Sequence, residues 1–370
     1  MLPQSAKEMD LQIPRLNSLY FYLSSYCNLN CLHCWIAPTY LNKDEAPEEA
    51  PFSLLKELIE QAIPLGLSNV KITGGEPFLN KNIFQLISYA SDKKLGITIE
   101  TNGTLMSDET ACFLKEKLIK HIAVSLDGPN QEVHEALRAQ KGCFDRTIEG
   151  IRLLKKYGLN VQVIMALYKG NVDYLEDTLN LAEGLGVNSF KINHISNISR
   201  GESLRRKELT LSVTDCIALN KKIDDQTQPK HKIKIIFDIP PAFKKLKNIK
   251  EQGTCGIKGI LGVLASGEIS ICGIGEVLSS LVLGDIRTNS LENIWKSHPI
   301  LKSIREELPQ RLEGVCATCM FKAYCLGKCR AEAYYATRNL FSGFSFCEQA
   351  EQAGLFPQER IFRLKQEVAI

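Results

Sequence analysis

Between residues 18 and about 195 the chain alternates short β-rich runs with longer amphipathic ones, six times over. That rhythm leaves few folds open. The strand candidates are 19–24, 69–73, 97–101, 122–126, 161–167 and 189–194, rich in Val, Ile and Thr and bounded by Gly, Asn and Asp. Between them lie helical patterns at 51–63, 81–93, 107–117, 144–156 and 174–184. Ser107 and Asp108 read as a capped helix start, and Gly96, Gly158 and Gly186 as helix ends. Repeated βα units predict an α/β fold, a parallel sheet with helices outside. Six strands fall short of the eight of a closed barrel, so a partial (β/α)6 barrel is expected.

After residue 200 the rhythm stops. A helix is expected over 211–225 and a strand over 233–239, ended by Pro240-Pro241. The lysine-rich stretch 230–250 reads as a solvated face, or else as a contact for an acidic partner. From 255 to 347 the chain is loop-rich and cysteine-rich, and 357–370 reads as a short helix. The expected division is therefore an N-terminal segment 1–17, a barrel 18–210, a linker helix and strand 211–253, a cysteine domain 254–350 and a tail 351–370. With 45 Lys+Arg against 42 Asp+Glu, no strongly basic nucleic-acid binder is indicated, and no nucleic-acid partner is expected. The most apolar stretch, 256–284, is broken by glycines and charges, which argues against a membrane span. The first ten residues lack a basic region followed by an apolar core, so no signal peptide is read and a cytoplasmic location is expected.

Thirteen cysteines fall mostly into two clusters. Their odd number and the absence of an export signal argue for metal ligation over disulfides. The first cluster, Cys27, Cys31 and Cys34, has the spacing Cys-x3-Cys-x2-Cys and follows the first strand. The C-terminal ends of such strands are where α/β folds collect ligands. Three thiolates on one short loop suit an iron–sulfur cubane with one iron left open. A zinc knuckle using His33, or three unconnected core thiols, is the alternative.

The loop resembles that of the radical S-adenosylmethionine (SAM) superfamily. The resemblance implies that Cys27, Cys31 and Cys34 hold a [4Fe–4S] cluster whose open iron chelates SAM, and that reduction cleaves SAM to a 5′-deoxyadenosyl radical. Members often carry an aromatic residue before the third cysteine, where this chain has His33. Thr73-Gly74-Gly75-Glu76-Pro77 is similar to the family's Gly-Gly-Glu-Pro segment. Gly74 and Gly75 would let backbone approach the methionine of SAM, and Glu76 would accept from its ammonium; an ordinary βα turn is the plain reading. Thr101, Asn102 and Ser125, at the ends of the third and fourth strands, are carried over as SAM contacts. Arg138, in a run resembling a segment of peptide-modifying members, would pair with the SAM carboxylate; otherwise it is a surface helix charge. Ile192 is expected near adenine, or as plain core.

The second cluster reads Cys255-x11-Gly267-x4-Cys272, then Cys316-x2-Cys319-x5-Cys325-x3-Cys329-x17-Cys347. Cysteine for cysteine it is similar to the SPASM domain of radical SAM maturases. The resemblance implies two auxiliary [4Fe–4S] clusters, hence three clusters in all. Cys255, Cys272 and Cys329 would bind the first, and Cys316, Cys319, Cys325 and Cys347 the second. Two closed cubanes need eight thiolates and seven match, so the first auxiliary cluster lacks a fourth cysteine. The alternative is a four-cysteine zinc site from the Cys316/Cys319 and Cys325/Cys329 pairs. Cys112 and Cys216 fall in helical patterns and Cys143 in a loop, each read as an inert thiol.

The resemblance implies an oxidoreductase that modifies a ribosomally made peptide or protein by crosslinking, epimerisation or backbone excision, with no catalytic acid or base named. Its partners would be that substrate and a reductant such as flavodoxin or ferredoxin. With only 26 residues before Cys27, leader recognition, where needed, is expected from a separate leader-peptide-binding protein or from this chain's own surface. Gly273 stands where sulfatase-maturing members place an acid, against formylglycine formation. Trp35-Ile36-Ala37-Pro38 resembles maturases for nitrile-hydratase-like leaders, some of which excise a tyrosine-derived fragment. A radical SAM enzyme acting on a small cofactor precursor, such as a tetrapyrrole or quinone precursor, and a non-catalytic metal-binding interaction module are the competing readings.

Overall fold

The computed structural model describes residues 13–40, 49–249 and 254–362. Six parallel strands stand where the alternation puts them: β1 (Ser18–Ser24), β2 (Asn69–Gly74), β3 (Gly96–Thr101), β4 (His121–Ser125), β5 (Val161–Leu167) and β6 (Ser189–His194). Helices α1 (Phe52–Ala62), α2 (Ile83–Asp92), α3 (Asp108–Glu116), α4 (Gln131–Arg138), α5 (Cys143–Lys156) and α6 (Leu175–Gly184) lie between them. The Ser107 side chain caps α3 by accepting from the Thr110 N–H. Gly158 and Gly186, both at positive φ, terminate α5 and α6. Gly96 does not end a helix: Lys94 takes the left-handed turn after α2, at φ 59°, and Gly96 opens β3.

Side-chain parity along the strands divides the molecule into an apolar outer layer and a polar interior. Leu19, Phe21 and Leu23 of β1 join the core under the helices, with Leu55, Leu58 and Ile59 of α1 and Leu86 and Ile87 of α2. On the concave side stand Tyr20, Lys71 and Glu100; Lys71 pairs with Glu100 at 2.6 Å and lies over the Tyr20 ring.

The expected helix 211–225 is α8 (Val213–Lys222), which follows the short α7 (Arg200–Arg206) and continues into a π turn at Ile223–Thr227. Ser212 and Asp215 close α8 with a reciprocal capping box. The strand that follows, β7 (Lys234–Phe237), pairs parallel with β6 and adds a seventh strand to the barrel. At the other edge, β8 (Ile260–Val263) pairs parallel with β1, and β9 (Glu268–Ser270) and β10 (Val282–Asp285) continue antiparallel. One ten-stranded sheet therefore runs β10-β9-β8-β1-β2-β3-β4-β5-β6-β7. The cysteine-rich segment is thus hydrogen-bonded to the barrel and covers its β1 edge.

Helix α9 (Leu291–Ser297) buries Trp295, whose indole N–H donates to the Pro14 carbonyl at 3.0 Å. Where a loop-rich domain was expected, further short helices run from Pro299 to Gln352. Of the expected tail helix, one turn appears at Gln358–Arg360, Ile361 instead bridges to Cys319, and residues 363–370 lie outside the described residues, as do residues 1–12 of the N-terminal segment. Among the described residues no helix is long and apolar enough to cross a membrane.

Candidate functional site

The loop after β1 is held on several sides. Tyr26–Cys27 pairs with Thr39–Tyr40 as a two-residue parallel ribbon. Arg200 donates to Asn30 Oδ1 at 2.7 Å, the Cys31 carbonyl at 3.4 Å and the Pro38 carbonyl at 2.9 Å. Cys27 and Cys31 are each 7% exposed, and Cys34 is half-buried. Burial pushes the Cys27 thiol up to about 12, so a thiolate there needs compensation. The surroundings supply it as N–H donors: Leu29 N at 3.4 Å and Asn102 Nδ2 at 3.9 Å from Cys27 Sγ, and Arg138 Nη1 at 3.6 Å from Cys31 Sγ. Cys143 is the first residue of α5 and not a loop residue; fully buried, it packs with Cys27, Leu29 and Cys31. Cys112 and Cys216 stand on α3 and α8.

Gly74 and Gly75 let the end of β2 lie against this loop. A Cβ on Gly75 would overlap the Tyr26 carbonyl, and the N–H groups of Gly75 and Glu76 donate to Ser24 O at 2.8 Å and Tyr26 O at 2.7 Å. Both glycines line a cavity of about 410 Å³, as do Cys27, Cys31, Cys34, Thr101, Asn102, Ser125 and Arg138.

Two of the residues expected as contacts, Glu76 and Ile192, do not line this cavity. Glu76, 1% exposed, is not part of the cavity wall. Its carboxylate accepts from Thr101 Oγ1 at 2.7 Å, Asn102 N at 2.8 Å and Phe78 N at 3.3 Å, which ties β2 to the end of β3. Burial pushes its pKa up to about 7 against those donors. Ile192, 0% exposed, sits in the core outside the cavity, while its neighbours Lys191 and Asn193 line it. Successive strand residues alternate faces, so Ile192 takes the plain-core place that was its alternative reading.

Arg138 is buried, its Nε on Asp127 Oδ2 at 2.5 Å. Burial opposes the charge of both, yet Asp127 holds the guanidinium protonated and Arg138 keeps the carboxyl below its ordinary range. The other Asp127 oxygen accepts from Ala166 N at 2.8 Å. Burial, with Arg138 adding to it, pushes the His33 imidazole down to about 4, and its buried Nδ1 has no partner among the described residues.

The far wall of the cavity comes from the second cysteine region: Cys272, Lys328, Cys329, Glu332 and Phe344. Burial raises Cys272 and Cys329, and each is raised further by Cys255, which places the three thiols in one electrostatic neighbourhood. Cys316, Cys319, Cys325 and Cys347 instead surround a separate small void. Phe344 N donates to Cys316 Sγ and Phe321 N to Cys319 Sγ, each at 3.4 Å. Among the described residues no three His, Cys, Asp or Glu side chains meet at single-ion distance.

Sequence reasoning missed the charged part of the wall. Asp238, just past β7, pairs with Lys191 at 3.2 Å and with Lys328, joining two strand ends to the residue before Cys329. Nothing in the local pattern links those three positions. Asp127, the partner of Arg138, was missed as well, although it lies two residues past Ser125 in the sequence.

Three thiols on one loop, two of them met by N–H donors, glycine backbone opening onto a cavity and the unpartnered His33 Nδ1 fit a cluster with a polar nucleoside ligand beside it. A partial barrel with this loop, followed by a second cysteine region on the sheet, defines a radical SAM protein with an iron–sulfur extension. Family profiles agree: the Radical SAM superfamily matches residues 21–182, and SPASM, an iron–sulfur cluster-binding domain, matches residues 255–320. The chain carries a Radical SAM domain followed by a SPASM domain, the make-up of a radical SAM/SPASM enzyme.

Among its relatives is the AdoMet-dependent heme synthase of Methanosarcina barkeri, 28% identical over 90% of this chain and 96% of the relative. The antilisterial bacteriocin subtilosin biosynthesis protein AlbA of Bacillus subtilis is 28% identical over 83% of this chain and 66% of the relative. Streptococcus suis SuiB, in its crystal structure with precursor peptide SuiA, shares the fold with a TM-score of 0.70 at 19% identity, over 91% of this chain and 76% of SuiB.

Proposed function

We propose that this enzyme modifies a peptide or protein substrate held between the Cys27–Cys31–Cys34 loop and the Cys272/Cys329 wall. The observation that carries this reading is the charge balance of the cavity. Lys191 and Lys328 both lean on Asp238, Arg138 on Asp127 and Glu100 on Lys71, while Arg200 is engaged by three oxygens. A ligand bearing several carboxylates would meet no unengaged lysine on the described wall. Amides suit it better, since Ser125 and Asn193 line it and Asn193 Oδ1 is buried without a partner.

Cys27, Cys31 and Cys34 would hold the SAM-binding cluster, Cys255, Cys272 and Cys329 the first auxiliary cluster, and Cys316, Cys319, Cys325 and Cys347 the second. When bound and reduced by a flavodoxin or ferredoxin, the first cluster supplies the electron that makes SAM a hydrogen-abstracting reagent. The chain's own residues position and exclude. Asp127 fixes Arg138 against Cys31, Glu76 fixes the Thr101–Asn102 turn, and Leu29 and Phe344 help keep water from the cavity. Crosslinking, epimerisation and backbone excision remain the reaction set. Glu276, three residues past Gly273, accepts from Ala265 N at 3.0 Å away from the cavity, which adds to the case against formylglycine formation.

A second reading, action on a tetrapyrrole, is favoured by the near-complete coverage of the heme synthase relative. One experiment separates them. Anaerobically reconstituted protein with SAM and dithionite is offered peptides encoded by short reading frames beside its gene or, in parallel, an iron-coproporphyrin, and products are read by mass spectrometry. A mass change in a peptide supports the proposal; turnover of the porphyrin alone overturns it.

A further inference from the structure

A second cavity of about 450 Å³ opens at the C-terminal mouth of β5 and β6, between α8 and the helix Ser345–Gln352. It shares His194, Ile195 and Glu332 with the reaction cavity, so the two spaces meet at one wall. Glu332 is 7% exposed and lies on the first turn of the helix after Cys329, its N–H on Cys329 Sγ at 3.4 Å. Lys191, Lys328 and Arg138 on the reaction-cavity wall are paired, whereas Glu332 is met by the Ser196 and Ser345 hydroxyls and has no ion-pair partner among the described residues. Along the outer groove the character changes. Phe346 forms an apolar floor, its ring 5.9 Å from that of His194. Lys169 and Arg205 are exposed on the rim with no carboxylate at ion-pair distance among the described residues; of the acids around them, Asp215 is bonded to Ser212 and Glu202 is paired with Arg206, and Glu208 lines the groove.

We propose that this outer groove docks the stretch of peptide flanking the residue that reacts. The occupant is an extended segment bearing an acidic side chain against Lys169 and Arg205, with an N–H or ammonium group received by Glu332 where the groove enters the reaction cavity. An apolar floor, a cationic rim and one buried acid at the inner end match an extended chain that crosses from solvent to the reacting site. This inference rests on the peptide reading above.

The test uses the reconstituted full chain and a peptide that the wild type modifies. The Lys169→Ala/Arg205→Ala double variant should weaken peptide binding and raise KM about tenfold, the sum of two exposed ion pairs, with the effect falling on KM and not on kcat. Wild-type affinity should fall with added salt, and the double variant should lose most of that dependence. A photo-crosslinker in the groove, Gln349→p-benzoylphenylalanine, should capture the same peptide, a readout independent of the double variant's folding. Unchanged KM and salt dependence, or no crosslink from position 349 to a peptide that is modified, overturns the groove alone. If the wild type modifies no peptide, the functional reading falls and the groove with it.

Discussion

The Glu76 carboxylate offers a quantitative test of how the site is braced. It accepts from the Asn102 N–H at 2.8 Å and the Thr101 hydroxyl at 2.7 Å, and both of those residues are buried. Glu76→Ala leaves two buried donors unmet, at about 1–3 kcal/mol each. The space left by the carboxyethyl group admits water, which keeps the loss in the lower half of that range, about 3 kcal/mol. Damage should reach the first cysteine loop, because Asn102 Nδ2 donates to Asn28 Oδ1 at 2.8 Å and reaches Cys27 Sγ. Glu76→Gln keeps one acceptor oxygen for two of the three donors and turns an amide N–H toward the third, so it should cost about half as much. Anaerobic urea titration followed by circular dichroism, with iron content measured alongside, reads both effects. An alanine variant within about 1 kcal/mol of wild type and with full iron would refute the bracing role.

Replacing Cys27, Cys31 and Cys34 together by Ala should abolish SAM cleavage and take iron from about 12 to about 8 per chain, by elemental analysis, if three cubanes are present. Gly75→Ala should lower occupancy of the first cluster in its electron paramagnetic resonance signal, because the added Cβ overlaps the Tyr26 carbonyl next to Cys27. Burial drops the Lys244 ammonium from 10.5 to about 8, where it donates to the Phe237 carbonyl. The unfolded chain then binds more protons than the folded one between those values, so stability rises as pH climbs from about 8 toward 10.5. Lys244→Met should flatten that rise in denaturation midpoints taken across the range.

Much of the barrel was readable because its signals are local. Strand runs such as 161–167 and helix starts such as Ser107 depend on period and capping within a few residues. Cysteine spacing was equally legible, since a cluster loop needs its thiols within a few residues of one another. Ile192 shows the limit of that reading: its strand was legible, but which of that strand's residues line the cavity depends on how the sheet closes, and Lys191 and Asn193 do so where Ile192 is core. Glu76 shows another. Its segment was recognised, yet which donors reach a carboxylate depends on a strand 25 residues away.

What only the tertiary structure decided are the pairings between distant parts of the chain. Ile260–Val263 adds to the free edge of β1, because parallel strands need partners that a crossover brings from afar. Asp238 meets Lys191 and Lys328 because the ends of β6 and β7 open onto the same cavity as the residue before Cys329. Cys255, Cys272 and Cys329, spread over 75 residues, share one neighbourhood through that same sheet. Period and spacing along the chain decide what each segment becomes. Closure of the sheet decides which segments face one another, and with that where charge and sulfur gather.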